Sequence, residues 1–176
     1  APIAVAIIWR WIYNPTMGFI NDFFEVIGIG YSQAWISDPH LSLYAVFIAA
    51  LWQAIGQPMI LFLAGLQAIP SDILEAATID GANGIKKFWL VTLPLLKETF
   101  VIVIATLIVA ALKVYDVVQG LTGGGPGDST QMLSTYMYSQ VFQYNNVGYG
   151  TAVACIMVLI MLAVIIPYIS FTAKEK

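Results

Sequence analysis

Residues 147–172 read VGYGTAVACIMVLIMLAVIIPYISFT, and no residue in this stretch carries a charge. A helix needs about 20 apolar residues to cross the hydrocarbon core of a bilayer. A helix also pairs its own backbone groups, which no water is present to satisfy inside lipid. The stretch therefore predicts a membrane-spanning helix.

Three more apolar segments precede it, at about residues 1–13, 41–69 and 94–121. Segment 41–69 has no charge, and segment 94–121 has an uncharged centre from Thr99 to Leu112. Both are long enough to span a bilayer, whereas segment 1–13 is too short. We therefore expect the sequence to begin inside a membrane helix of a longer protein.

The composition agrees with a membrane protein. The 176 residues are 60% hydrophobic and 10% charged, whereas soluble domains are typically about 45–50% apolar and about 25% charged. A soluble core of this size cannot bury so much apolar surface. The predicted fold class is an all-α integral membrane protein, a polytopic bundle of transmembrane helices that forms a single domain.

The same composition excludes several classes of function. The net charge is −3, and no basic patch with interleaved aromatic residues is present, so we expect no nucleic-acid partner. His40 and Cys155 are the only histidine and cysteine, which leaves almost nothing to build a metal site. No Ser/His arrangement or carboxylate pair lies at membrane depth, so we expect no catalytic residue.

The lysines predict the orientation in the membrane. Five of the six lie between the second and third helices and after the fourth, at Lys86, Lys87, Lys97, Lys174 and Lys176. Connections 14–40 and 122–146 contain no Lys or Arg. Because cytoplasmic loops are enriched in Lys and Arg, we expect loop 70–97 and the C-terminus to be cytoplasmic.

A polar stretch interrupts the apolar segments at residues 75–94, EAATIDGANGIKKFWLVTLP. Ser71 is suited to cap a short helix over 72–79, and Asp80-Gly81 is a turn signal. Asn83 is suited to start a second short helix over 84–91. Pro94 fits the first turn of the following membrane helix. The pattern predicts a helix–turn–helix with a partly apolar surface, which is suited to dock a cytoplasmic partner.

Turn signals also mark the connections on the other side. Asn14-Pro15 and Asp38-Pro39 are turn dipeptides, and residues 18–29 are compatible with a short interfacial helix. The sequence LTGGGPGDST at 121–130 ends the third segment abruptly, because three glycines and a proline cannot continue a helix.

The motif Glu75-Ala76-Ala77, x3, Gly81, x9, Val91-x-Leu93-Pro94 resembles the EAA loop of ABC importer permeases, EAA-x3-G-x9-I-x-LP. Val91 in place of Ile is the departure that we find. The resemblance extends over nearly the whole chain, through WRWIYNPTMGFIN, WISDP, LAGLQAIPSDILEAATIDGA, LTGGGPGDST and VGYGTAVA. These segments look like sugar-transport permeases of the maltose-transporter type, and more narrowly like the MalF-like partner.

The resemblance implies the type I ABC importer permease fold, of which this chain supplies the C-terminal part of a six-helix core. It also implies a multi-pass protein of the bacterial cytoplasmic membrane, embedded in the lipid bilayer. The implied partners are a second permease, two ATPase subunits and an extracytoplasmic solute-binding protein that delivers the sugar. The implied cofactors, ATP and Mg, belong to the ATPases, and this chain has no phosphate-binding loop of its own.

The resemblance assigns roles in the loop at 70–93, which would couple ATP hydrolysis to transport. Glu75 would make the polar contact to the ATPase, and Ala76 and Ala77 would allow close approach. Asp80 and Gly81 would form the turn. The remaining members of the motif are Leu93 and Pro94.

Candidate residues for the solute path lie on the second and third segments. Gln53, Ala54 and Gln57 share one helical face, where glutamines would bond sugar hydroxyls or join helices as polar contacts. On the third segment, alignment with the family through LTGGGP indicates Ala110, Ala111, Val114 and Tyr115. Tyr115 would stack on a sugar ring or serve as an interfacial aromatic residue.

The sequence leaves other solutes and another class of function open. Another polar solute such as a glycerol phosphate would need cationic residues in the path, and only Lys113 is available, paired with Asp116 or directed to water. A passive membrane channel or a structural anchor is the other class. That class predicts no dependence on an ATPase and leaves the EAA motif unexplained.

Overall fold

The computed structural model describes residues 2–30 and 32–173, and the secondary structure within these ranges is helical, without strands. The first helices are α1 (Pro2–Ile12), α2 (Phe19–Val26), α3 (Ser42–Ala54) and α4 (Gly56–Gln67). The middle helices are α5 (Ser71–Ile79), α6 (Gly84–Lys87), α7 (Leu93–Leu95) and α8 (Lys97–Leu112). The last are α9 (Asp116–Leu121), α10 (Leu133–Tyr138) and α11 (Val147–Ala173), and π-helical turns occupy Phe88–Thr92 and Ser139–Gln143.

Two helices are long and apolar enough to cross a membrane, Ser42–Gln67 with 26 residues and Val147–Ser170 with 24. A third span is formed if Gly84–Leu95 and Lys97–Leu112 are taken together, although the two parts are bent by 65°. The short apolar helix α1 occupies the first apolar segment. The prediction of an all-α membrane protein with several spans is confirmed.

The chain contains two compact units, and the expectation of a single permease domain stays a prediction. The first unit comprises Ala1–Gln53 and Ala110–Leu162. Its core is formed by small and branched side chains of α1, α3 and α9, namely Val5, Ala6, Val46, Ala49, Val117, Val118 and Leu121. Helices α1 and α9 approach closely at Gly120, where an added Cβ would lie 2.5 Å from the Cβ of Ala6.

The second unit comprises Ala54–Val109 and Ala163–Lys176. Within it, α4 and α8 meet at Gly65, where an added Cβ would lie 2.4 Å from Thr99 Oγ1. The rings of Phe62 and Phe100 pack edge to face at 4.6 Å between the same two helices. Small residues at such crossings let helix backbones approach, which is a main source of helix association in membranes.

Residues 14–40 fold around the buried side chain of Asn21, in the first turn of α2. Its Nδ2 donates to the carbonyls of Pro15 at 3.2 Å and Gln33 at 3.1 Å. Its Oδ1 accepts from the amide of Gln33 at 3.3 Å and from Trp35 Nε1 at 2.9 Å. The short helix expected within 18–29 is therefore present, and one amide holds it to both flanking segments.

The third apolar segment is not the single helix over 94–121 that the sequence predicts. Helix α8 ends at Leu112, and α9 begins at Asp116 after Tyr115 adopts φ −136° and ψ −60°. The carbonyl of Val114 accepts a hydrogen bond from the buried hydroxyl of Ser134. This carbonyl therefore has a partner although Val114 lies outside a helix. Lys113 therefore lies in the break and Asp116 at the start of α9. The prediction that the two residues are neighbours on one helix is wrong.

Smaller differences occur at other helix ends. Pro70 is the N-cap of α5, so Ser71 is already helical and its hydroxyl donates to Asp72 Oδ1 instead of capping. The helix predicted over 84–91 starts as expected but widens into π geometry after Lys87. The second span is locally interrupted at Ile55, between α3 and α4, beside Gly56 and Pro58, which are residue types at which helices commonly kink.

Candidate coupling loop and solute path

The coupling loop, residues 70–93, turns sharply where α5 ends. The amide of Gly81 donates to the carbonyl of Thr78 at 3.1 Å, and the amide of Ala82 donates to that of Ala77 at 3.0 Å. These two bonds form a Schellman motif, which satisfies the last carbonyls of a helix. Gly81 has φ +82°, a conformation that costs other residues energy. The turn predicted at Asp80-Gly81 is confirmed.

The second half of the loop begins with a capped helix. Asn83 Oδ1 accepts from the amide of Lys86 at 3.0 Å, as the sequence predicts for a residue that starts a helix. Lys87 Nζ donates to Thr78 Oγ1 at 3.0 Å, and this bond joins α6 to α5. Local bonds therefore join the two halves of the helix–turn–helix.

The EAA residues lie on the exposed part of α5. Glu75 and Ala76 are exposed, and Ala77 is half-buried. Ile79 is 86% exposed, although it is a large apolar side chain at the end of the helix. Among the other motif residues, Asp80, Gly81 and Pro94 are exposed and Leu93 is half-buried. The loop thus presents an acidic and small-residue surface, with an unburied isoleucine at its turn.

The solute-path candidates fall into both compact units. Gln53, Ala110 and Ala111 are exposed in the first unit. Val114 of that unit packs against its core, and its backbone carbonyl is bonded to Ser134. Ala54 is half-buried and Gln57 exposed in the second unit. The structure therefore leaves both glutamines accessible and makes Val114 a packing residue within its own unit.

Tyr115 starts a row of aromatic rings in the first unit. Its ring lies 5.0 Å from that of Tyr138, which lies 4.8 Å from that of Phe142. Tyr136 lies beside Tyr149 at 6.2 Å. The hydrogen bond with Tyr149, together with partial desolvation, raises the pKa of Tyr136 above its ordinary value. Sequence reasoning did not predict this row.

Sequence reasoning missed the bonding inside the loop at 121–130. The hydroxyl of Thr130 is 2.7 Å from that of Thr122 and donates to the carbonyl of Gly125 at 2.9 Å. The hydroxyl of Ser129 lies 2.8 Å from that of Ser42, at the start of α3. Hydroxyl residues on both sides of a glycine run were the available signal, because such side chains commonly bond nearby backbone.

The described residues contain no group of three or more His, Cys, Asp or Glu side chains that could hold a metal ion. Cys155 is an exposed free cysteine on α11.

Fold and site together define a polytopic helical membrane protein with a helix–turn–helix loop before a spanning helix. The chain belongs to the family described as binding-protein-dependent transport system inner membrane component, whose model matches residues 1–173. The description of this family names a component of a transport system, in agreement with the sequence-based prediction of a transport subunit.

Relatives of this chain carry the names of transport permeases. The chain is 36% identical to a probable ABC transporter permease of Pyrococcus horikoshii, over 99% of this chain and 60% of that protein. It is 34% identical to a trehalose/maltose transport permease of Thermococcus litoralis, over 92% and 54%. It is 33% identical to an sn-glycerol-3-phosphate transport permease of Brucella abortus, over 99% and 59%. The chain thus spans little more than half the length of these curated relatives.

The fold also matches a solved structure. A chain of a bacterial ABC transporter involved in alginate import superposes with a TM-score of 0.89, at 20% identity. The match covers 99% of this chain and 61% of that chain. The predicted type I ABC importer permease fold is confirmed.

Proposed function

We propose that this chain belongs to the permease subunit of an ATP-driven ABC importer for a mono- or oligosaccharide. The observation that carries the proposal is the exposed EAA helix α5, closed by the turn at Gly81 and leading into a spanning helix. In such a loop a movement of α5 is passed to the following helix, because the two halves of the loop are joined through Lys87 and Thr78.

The partners follow from this function. ATPase subunits receive Glu75 and Ala76 of the coupling loop, and they bind the ATP and Mg, so this chain needs no cofactor of its own. A second permease completes the translocation path. An extracytoplasmic solute-binding protein delivers the sugar to the face that carries residues 14–40 and 122–146. Loop 70–97 and the C-terminus are then cytoplasmic, in agreement with the placement of the lysines.

The solute path includes Gln53 and Gln57, whose amides both donate and accept hydrogen bonds, as sugar hydroxyls do. A neutral sugar suits this set better than an anion does. A relative named for sn-glycerol 3-phosphate supports that solute as the second candidate, and Lys113 is its available cation. Uptake of labelled maltose or trehalose, in competition with excess sn-glycerol 3-phosphate, distinguishes the two.

The coupling function is tested with the full-length permease, assembled with its second permease and ATPases in proteoliposomes. Glu75→Lys should abolish most ATP-driven uptake while the protein still inserts, because the reversed charge meets the surface that accepts Glu75. Glu75→Asp, which keeps the negative charge at the same exposed position, is the control and should retain most of the uptake. Normal uptake by Glu75→Lys, or uptake by wild type without ATP, would contradict the proposal in favour of a channel or an anchor.

A further inference from the structure

The two halves of the coupling loop have different relations to the membrane. Residues Gly84–Leu95 are bent by 65° from the apolar helix α8, and only the two parts together are long and apolar enough for a full span. Spanning helices are tilted by about 20° on average from the bilayer normal. If α8 has this average tilt, a segment bent by 65° from it is inclined toward the membrane plane. The segment then lies at the level of the lipid headgroups.

This segment has one face turned toward α5 and another that the described residues of its unit leave largely exposed. Lys87 and Val91 are half-buried, and Lys87 is bonded to Thr78 of α5. Ile85 is 74% exposed and Trp89 61% exposed. Residues four apart on a helix are neighbours, so Ile85 and Trp89 form one continuous apolar strip.

The residues beside this strip complete an interfacial pattern. Phe88 is 45% exposed and Leu90 is 72% exposed. Lys86 is exposed and lies four residues before Leu90. Tryptophan is favoured at the level of the headgroups, and helices that lie on membranes combine Lys with Trp, Phe and Leu. The positive charge of Lys86 complements anionic headgroups.

Helix α5 has the opposite chemistry. Its exposed residues include Asp72, Glu75 and Ala76, and an anionic membrane surface would repel the two carboxylates. The bond between Lys87 and Thr78 holds the halves together, so a protein-facing helix and a lipid-facing segment are positioned by one turn.

We propose that residues Gly84–Leu95 bind the surface of an anionic bilayer, with Ile85 and Trp89 among the acyl chains and Lys86 at the phosphates. The segment then fixes the height of the coupling loop relative to the membrane. It serves as the support against which a movement of α5 is passed to the spanning helix. The inference concerns a lipid contact and does not depend on which solute is carried.

The test places a nitroxide spin label on the full-length permease, in a variant free of other cysteines, including Cys155→Ser. Ile85→Cys reports on the proposed lipid face, and Ala76→Cys reports on α5. The transporter is reconstituted without ATPase in nanodiscs of phosphatidylcholine, with or without phosphatidylglycerol. Collision rates with oxygen, which concentrates in lipid, and with a nickel chelate, which stays in water, are measured at each label.

The proposal expects the label at residue 85 to favour oxygen several-fold more than the label at residue 76, and more strongly when phosphatidylglycerol is present. Lys86→Glu should remove the effect of phosphatidylglycerol, and Lys86→Arg should keep it. Equal access of the nickel chelate to both labels would overturn the proposal. A label at residue 85 that is shielded from both reagents, or that becomes shielded only after ATPase is added, would show a protein occupant and overturn it too. Uptake is not the readout, so a failure here leaves the transport proposal to its own test.

Discussion

The backbone amide of Ala82 donates a hydrogen bond to the carbonyl of Ala77 over 3.0 Å, and this bond closes α5 across Gly81. The bond requires Gly81 to hold φ +82°. A Cβ added at Gly81 would meet no atom within 4 Å. A substitution there would therefore strain the backbone conformation of the turn without causing a steric clash. A substitution at Gly81 therefore tests the backbone conformation of this loop alone.

Gly81→Ala should weaken the turn by about 1–2 kcal/mol, the cost of the left-handed conformation for a residue with a Cβ. Gly84→Ala is the matched control, because Gly84 also has open space around it and has no positive φ. We expect lower ATP-driven uptake and lower thermal stability for Gly81→Ala alone. Equal behaviour of the two variants would show that the turn does not depend on its glycine.

Gly65→Ala should destabilise the second unit, because the new Cβ would lie 2.4 Å from Thr99 Oγ1 and 3.0 Å from Leu96 Cδ2. Overpacking of this kind costs about 1–3 kcal/mol. Adding Thr99→Ala removes the nearest atom and should recover part of the loss, while Gly56→Ala has open space and should be nearly neutral. Thermal unfolding of the purified permease measures all four proteins. Failure of Thr99→Ala to recover stability would argue against this contact.

Asn21→Asp should destabilise the fold of residues 14–40, because a carboxylate cannot donate to the carbonyls of Pro15 and Gln33. An unsatisfied buried group costs about 1–3 kcal/mol. Asn14→Asp is the control, since Asn14 Oδ1 accepts from the amides of Thr16 and Met17 at 2.9 and 3.1 Å. An aspartate retains that role. Limited proteolysis should cut this connection faster in Asn21→Asp than in Asn14→Asp, and the reverse order would refute the assignment.

Ser134→Ala should disturb the break between α8 and α9, since it removes the hydroxyl that donates to the carbonyl of Val114. We expect a loss of about 1–3 kcal/mol in the free energy of unfolding. Ser139 Oγ donates to Thr135, whose carbonyl lies inside the helical segment, so Ser139→Ala should change stability little. Thermal unfolding distinguishes them, and a stable Ser134→Ala would mean that the break is maintained by other contacts.

Gln53→Leu and Gln57→Leu should each raise the KM for uptake by about two- to tenfold if their amides bond the solute, since one such bond contributes about 0.5–1.5 kcal/mol. Gln67→Leu, at the end of α4, should not change KM. A change in thermal stability with an unchanged KM would instead make the glutamines helix-packing residues.

Features that depend on neighbouring residues could be predicted from the sequence. The spanning segments follow from long uncharged stretches, and the turns at Gly81 and Asn83 follow from residues that satisfy adjacent backbone. The EAA motif belongs to this group, since its residues lie along one short loop. The placement of Glu75 and Ala76 on a short helix of that loop therefore follows from the sequence by itself.

Only the tertiary structure decided how distant residues meet. The third segment breaks at Tyr115 because Ser134, far along the chain, provides a donor for Val114. Asn21 becomes buried because Gln33 and Trp35 return to it, and Gly65 matters because Thr99 packs against it. Hydropathy and local turn chemistry depend on near neighbours in the sequence, whereas these contacts depend on the path of the whole chain.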